Sequence, residues 1–341
     1  MTLAATHLAN VATNVAALTL TRLENPVVGT LDGNTYTIPT PNEIYCWDVL
    51  RFLRQTPDDT FDLVFGSPPY GKARRYQDAP AIPLHAGEEW VKWMTQIVLE
   101  SIRTCKGLVA FVINGTTKQF NWDSLPILLA ADLKRISMAR AANRFETIPQ
   151  FTIRKPPIFG RCGIMGSGGP DFWRDDYEFV VCASRGRLPW SNNTYGGSPP
   201  KYRPGGKPSH RTKSGVRVTA REYTPPAIAN PGNVLWGNVG KGHMGSDYAH
   251  KNEAPFPEWL AERFVGSFCP PSGLVLDPFI GSGTTGAVAR KLGRNYVGLD
   301  IRESQCIIAR ERIAQVTCDM IAPKDENTGI APDEQTTLAD T

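Results

Sequence analysis

Apolar residues gather in six short blocks: Glu43–Leu50 (EIYCWDVL), Phe61–Gly66 (FDLVFG), Gly107–Asn114 (GLVAFVIN), Tyr177–Ser184 (YEFVVCAS), Gly273–Phe279 (GLVLDPF) and Asn295–Ile301 (NYVGLDI). Near-continuous runs of this length predict buried strands. Between them lie stretches of helical period: Glu88–Cys105, Pro257–Phe268, Thr284–Gly293 and Ser304–Val316. In the first, Trp90, Trp93, Met94, Ile97, Val98 and Ser101 recur at spacings of three and four and define one helix face. Strands that alternate with helices predict an α/β fold, a mainly parallel sheet covered on both faces.

The rhythm divides the chain. Residues 1–39 read as a leader or helix; 40–184 and 233–318 carry the α/β pattern. Residues 185–232 interrupt it at a length too great for an ordinary connection. Residues 319–341 are acidic and lack periodicity, as expected of a disordered tail. No run of about 18 apolar residues is present, so a membrane-spanning helix is not expected. The alanine-rich start lacks the basic residues of a signal peptide.

Composition sharpens the picture at two points. The seven cysteines form no C-x-x-C pair and mostly sit in apolar runs. That pattern predicts structural thiols in a reducing cytoplasm, with no metal site. The formal charge of +4 hides an asymmetry, because Arg185–Arg221 holds nine Lys or Arg and no acid. Tyr195, Tyr202 and Trp190 are interleaved with them. A basic, Gly/Pro-rich segment with aromatic residues suits a surface that meets phosphates and bases. A solvated linker is the plainer alternative.

Two stretches carry candidate chemistry. In VLDPFIGSGTTGAVARKLGRNYVGLD, Gly281 and Gly283 permit a sharp turn between a strand and a helix that starts near Thr284. Asp300 ends the next strand, 23 residues after Asp277, where an acid can accept hydrogen bonds from a ribose diol. No lysine follows Gly283, so this is not a triphosphate loop. The acid in Asp277-Pro278-Phe279 would repel a pyrophosphate but suits a cationic amino-acid head group, such as that of S-adenosylmethionine. In the second stretch, FDLVFGSPPYGKARRY, a strand ends in two prolines that can continue neither strand nor helix. Taken alone, such a segment reads equally as a polyproline turn or a docking motif.

Together the two stretches resemble the amino-methylating DNA methyltransferases, in the permuted arrangement with the catalytic motif (GSPPYG) before the cofactor motif (LDPFIGSGTTG). HKNEAPFPEWLAERF resembles the segment that closes the family's cofactor pocket, with a longer spacing after His250, so Phe256 and Pro257 transfer better than His250. IYCWDVLRFL sits where the family has a strand with an acid toward the cofactor, here Asp48. RDDYEFVVCASRG matches a strand that closes the target-base pocket.

The resemblance implies a Rossmann-like S-adenosylmethionine-dependent fold with a small irregular DNA-recognition insertion. It implies cofactor contacts from Asp48, Phe256, Pro257, Asp277, Pro278, Phe279, Gly281, Gly283, Thr284 and Asp300. Ser67 and the Pro68 carbonyl would draw both hydrogens of an exocyclic amine toward tetrahedral geometry, freeing its lone pair for the sulfonium methyl. Pro69 would fix the carbonyl, and Tyr70 would stack on a base taken out of the duplex. Lys72, Arg74 and Arg75 would grip the backbone beside that nucleotide. Lys201, Arg203, Lys207, Arg211, Lys213 and Arg217 of the insertion would contact double-stranded DNA, with residues 145–176 sharing the recognition.

Within the family, serine before Pro-Pro goes mostly with cytosine N4, and Asp or Asn mostly with adenine N6. Cytosine N4 is therefore the expected target and adenine N6 the alternative. A carbon-5 enzyme would need a thiolate, usually from a Pro-Cys pair, and the chain has none. A silent DNA-binding protein is disfavoured by the intact motifs, and action on RNA or protein by Ser67 and the basic insertion. A cytoplasmic location in a bacterium, archaeon or phage host is expected, and a restriction endonuclease is a candidate partner.

Overall fold

A computed structural model describes residues 21–22, 27–31, 34–70, 86–118, 121–141, 150–155, 158–162, 176–200, 209–219, 224–240 and 242–317. In chain order the principal elements are β1 (Glu43–Cys46), α1 (Val49–Gln55), β2 (Phe61–Gly66), α2 (Gly87–Thr104), β3 (Cys105–Ile113), α3 (Leu125–Ala141), β4 (Thr152–Ile153), β5 (Ile158–Cys162), β6 (Tyr177–Ser184), β7 (Val234–Asn238), α4 (Glu258–Phe268), β8 (Leu274–Asp277), α5 (Thr284–Lys291), β9 (Asn295–Asp300) and α6 (Glu303–Ala314).

The strands form one nine-stranded sheet in the order β7-β5-β6-β3-β2-β8-β9-β1, with β4 also on β6. From β1 to β3 all neighbours are parallel. β6 then runs antiparallel to β3, and β5 antiparallel to β6. This is the mainly parallel α/β sheet that the alternating pattern predicts. All six apolar blocks contain sheet strands.

Two cores lie on opposite faces. One joins Phe52 and Leu53 of α1, Trp90, Met94 and Ile97 of α2, and Leu129 and Leu133 of α3. The other joins Leu260 and Phe264 of α4, Ala287 and Val288 of α5, and Cys306 and Ala309 of α6. The chain leaves β2 through α2 and β8 through α5, so these adjacent strands send their helices to opposite faces. A crevice opens between such strands at their carboxyl ends, the usual ligand site of an open α/β sheet. Both candidate motifs start there.

Packing at this junction is tight. Val275 and Leu276 pair with Leu63 and Val64, which brings the end of β2 against Asp277. A Cβ at Gly66 would overlap the Asp277 carboxylate. Only glycine allows the Ser67-Pro68-Pro69 turn to start directly beside the cofactor motif.

Several elements escape the periodicity. In α3, Leu125, Leu129 and Leu133 are buried, but Ile127, Leu128 and Met138 are exposed, so no single apolar face stands out. β5 lies within the stretch read as possible recognition sequence, yet it pairs with β6 and β7 in the main sheet. Thr21–Arg22, Val27–Leu31 and Asn34–Ile38, read with the leader, form a small antiparallel sheet. Residues 1–20 and 318–341 lie outside the described residues. No helix among the described residues is long and apolar enough to cross a membrane. Cys105, Cys182, Cys269 and Cys306 are buried, and desolvation raises their thiols well above the usual range. Cys46 is exposed, at the end of β1.

Candidate active site

The glycine turn after β8 is held from every side. Gly281 and Gly283 have φ of 48° and 87°, a left-handed conformation that side chains rarely adopt. A Cβ on Gly283 would press on Ala309 of α6 at 3.0 Å. Asp277 ends β8 fully buried. Its Oδ1 accepts the Phe279 N–H (3.0 Å) and its Oδ2 the Thr285 hydroxyl (2.5 Å). The carboxylate thus closes the turn as well as lending it negative charge.

Burial raises the Asp277 carboxyl to about 7, against the two hydrogen bonds that favour its charged form. Its folded value lies above the unfolded one, so its stability contribution is full below about 4 and is lost as pH rises through 7. Without cofactor, Asp277→Asn is therefore expected to melt above the wild type at pH 8, with the gap narrowing as pH falls through 7 and closing toward pH 4. Thermal unfolding across that window checks this; a gap independent of pH would contradict it.

Asp300 sits at the end of β9. Its Oδ1 accepts from the Arg302 N–H (2.9 Å) and faces the Arg302 Nε (3.4 Å). Desolvation raises its carboxyl, which the Arg302 charge and the Gly281 N–H oppose. Arg302 also forms a two-pronged pair with Glu253, at 3.1 and 3.0 Å. Asn252 lies against Gly281, where any Cβ would displace its amide. Asn252 and Glu253 come from the segment before Phe256, so that segment does reach the turn.

Aromatic rings line the neighbourhood. Phe279 packs against Trp93 (5.7 Å between centroids) and Phe111 (6.2 Å). Phe256 meets Phe65 edge-on at 5.5 Å, and Pro257 starts α4. Pro278 is buried next to Gly66. Asp48 caps α1, accepting the Arg51 N–H at 2.8 Å. The Trp47 N–H reaches the Asp300 carbonyl at 3.0 Å, which ties this segment to the end of β9.

The second motif lies across the crevice. The Ser67 hydroxyl is 3.0 Å from the Tyr70 hydroxyl and 3.1 Å from the Val112 carbonyl at the end of β3. The Tyr70 hydroxyl also reaches the Val112 carbonyl (3.3 Å) and a carboxylate oxygen of Glu178 on β6 (3.1 Å). The buried Trp90 indole donates to the Pro69 carbonyl at 2.7 Å and fixes the proline pair. Among the described residues none donates to the Pro68 carbonyl.

Sequence reasoning missed Trp90, Glu178, Asn252, Glu253 and Arg312. Arg312 of α6 is 2% exposed. It donates to the Thr284 hydroxyl (2.9 Å), Ser282 (3.3 and 3.4 Å) and Glu258 (2.7 Å), stapling α6 and α4 to the glycine turn. An arginine amid apolar helix positions was its one visible signal.

Of the basic residues, Arg211, Lys213 and Arg217 are exposed on a two-stranded ribbon, Ser209–Arg211 with Arg217–Thr219. Arg211 and Arg217 sit directly opposite each other, an arrangement that costs energy unless an anion lies between them. No ion pair among the described residues reaches any of the three. Lys72, Arg74, Arg75, Lys201, Arg203 and Lys207 lie outside the described residues.

The sequence of residues 61–311 matches the N6/N4 methyltransferase family, described as DNA methylase. The chain belongs to this family. The methyltransferase is 27% identical over 274 residues to type II methyltransferase M.BglII of Bacillus subtilis, covering 79% of this chain and 68% of that one. It is 24% identical over 272 residues to the DNA adenine methyltransferase YhdJ of Escherichia coli, covering 78% and 80%. Its fold is similar to that of the PvuII DNA methyltransferase, titled cytosine-N4-specific, with a TM-score of 0.55, 18% identity, and 81% and 91% of the two chains covered. It is also similar to a putative DNA modification methylase of Thermus thermophilus complexed with S-adenosyl-L-methionine, with a TM-score of 0.50, 19% identity, and 80% and 93% covered. It is thus an S-adenosylmethionine-dependent DNA methyltransferase, and its glycine turn suits a cationic cofactor, with the Asp277 and Asp300 carboxyls beside it.

Proposed function

We propose that this methyltransferase methylates the exocyclic N4 amine of a cytosine flipped out of double-stranded DNA. The observation that carries the reading is Ser67, a neutral hydroxyl at the head of the Pro-Pro turn, across the crevice from the Asp277 turn. When bound, S-adenosylmethionine supplies an electrophilic methyl group.

The chain's own groups prepare the amine. Ser67 Oγ and the Pro68 carbonyl accept its two hydrogens and bend the nitrogen toward tetrahedral geometry. They also stabilise the positive charge that develops there. Trp90 and Pro69 keep the carbonyl from turning away. Tyr70, its hydroxyl anchored at Glu178 and Val112, offers a fixed ring for stacking on the base. Gly281, Gly283, Thr284 and Asp300, with Phe256, Pro257, Pro278, Phe279 and Asp48 around them, form the cofactor pocket. The ribbon bearing Arg211, Lys213 and Arg217 meets phosphates. The type II relatives support a paired restriction endonuclease.

Adenine N6 is the second reading, supported by the likeness to YhdJ, since a hydroxyl can accept from either amine. Incubation with labelled S-adenosylmethionine and duplex DNA, with RNA as a parallel substrate, tests the assignment. Label is expected in DNA, as N4-methylcytosine after digestion. Label in RNA alone would refute the substrate class, and N6-methyladenine alone would refute the base.

A further inference from the structure

Two thiols from distant parts of the sequence meet at the edge of the sheet. Cys46 stands at the exposed end of β1, and Cys306 is buried on α6. The Glu303 carboxylate, in the first turn of α6, joins them, and the three donor atoms all lie within 4.8 Å of one another. Among the described residues no other three His, Cys, Asp or Glu side chains converge in this way.

Each donor is carried by a fixed element. β1 pairs with β9, with Cys46 opposite Asp300. The Cys306 thiol lies 3.7 Å from the Tyr45 carbonyl and 3.6 Å from the Asp300 carbonyl, so α6 presents it to the ends of both strands. Arg310 donates to the Ile44 carbonyl of β1 (2.7 Å) and to the Glu303 carboxylate (3.1 Å), which draws that carboxylate toward the strand. Hydrogen-bonded support of this kind orients the carboxylate ligands of metal sites.

The donor set selects the ion. Two thiolates and a carboxylate suit a borderline-soft divalent ion such as Zn²⁺, whereas Mg²⁺ and Ca²⁺ take oxygen ligands. Around tetrahedral zinc, sulfur and oxygen donors stand about 3.6–3.8 Å apart, which the observed spread accommodates. The excess negative charge of the three ligands is offset by the neighbouring Arg310 guanidinium.

We propose that Cys46, Cys306 and Glu303 form a zinc-binding site, with solvent supplying the fourth ligand on the exposed side of Cys46. Both thiols lose their protons to water as the metal binds, and no electron is transferred. The bound ion ties β1 to the start of α6 beside Asp300 and stabilises the folded chain by mass action. The site uses no residue of the proline turn and is independent of which base is methylated.

The test uses the full chain, reduced and stripped of metal, with Co²⁺ and Zn²⁺ as probes. Co²⁺ is expected to give thiolate-to-metal charge-transfer absorption that saturates near one equivalent, and Zn²⁺ to abolish it by displacement. Cys46→Ser should weaken Co²⁺ binding by about tenfold or more and lower the absorption at saturation, whereas Glu303→Gln should weaken binding by about tenfold with the thiolate absorption retained. Alkylation of Cys46 in the unaltered chain, mapped by peptide mass spectrometry, guards against a misfolded variant. Zn²⁺ at about ten times its Kd should slow that alkylation about tenfold, and a chelator should restore it. No thiolate absorption with the wild type, an unchanged titration of Cys46→Ser, or alkylation indifferent to Zn²⁺ would each overturn the proposal.

Discussion

Ser67→Ala is expected to lower kcat by about two to three orders of magnitude, the usual cost of removing one preorganised hydrogen-bonding group from a charge-developing site. Cofactor affinity should stay within about twofold, because no described hydrogen bond of Ser67 reaches the glycine turn; its partners are Val112 and Tyr70. The loss arises in the transition state, where the amine nitrogen becomes cationic and its hydrogens bind their acceptors most tightly. It should therefore lower kcat and kcat/KM together. Single-turnover transfer and cofactor titration on the same variant check both halves. A matching fall in cofactor affinity would mean that the serine shapes the pocket instead.

The largest expected loss of stability comes from a residue distant from the chemistry. Arg312→Met should lower the free energy of unfolding by roughly 3–5 kcal/mol, as removal of one partner from a buried ion pair does. Glu258 would lose its 2.7 Å partner, and Ser282 and Thr284 would lose the donor that holds the turn. Glu258 is 23% exposed on its side chain, which places the expectation toward the lower end of that range. Because the staple holds the glycine turn, cofactor affinity should weaken as well. Urea unfolding and cofactor titration measure the two effects. A variant as stable as wild type would show that α4 and α6 hold the turn by apolar packing alone.

What the chain reveals before folding depends on how local the physics is. Strand blocks such as GLVAFVIN and the glycine turn between Asp277 and Thr284 are legible because burial and left-handed backbone leave marks within a few residues. Ser67, Pro68 and Pro69 could be singled out for the same reason, since a strand that ends in two prolines is unusual in itself. The partners of those residues are not local. Glu178 lies 108 positions from Tyr70, and only the antiparallel pairing of β6 with β3 brings it close. Trp90 reads as one more apolar helix residue until α2 packs and its indole finds the Pro69 carbonyl. Arg312 stands amid apolar helix positions, but its partners Thr284 and Glu258 lie 28 and 54 positions away, so its task is not legible locally. The short strands β4, β5 and β7 carry too few residues for a period to show; β4 and β5 exist because β6 offers them an edge, and β7 because β5 does.

Asp277 illustrates a partial reading. Its sign and place suit a cationic ligand, as the sequence suggests. Burial and two hydrogen bonds from its own loop give it a further task, closing the turn, that no spacing rule could supply.

The most direct measurement is the nucleoside content of genomic DNA from a bacterium that lacks its own DNA methyltransferases and expresses either the intact chain or its Ser67→Ala variant. N4-methylcytosine in the first, and its absence in the second, is the predicted result. N6-methyladenine in place of N4-methylcytosine, or N4-methylcytosine that persists undiminished in the Ser67→Ala cells, would contradict the account.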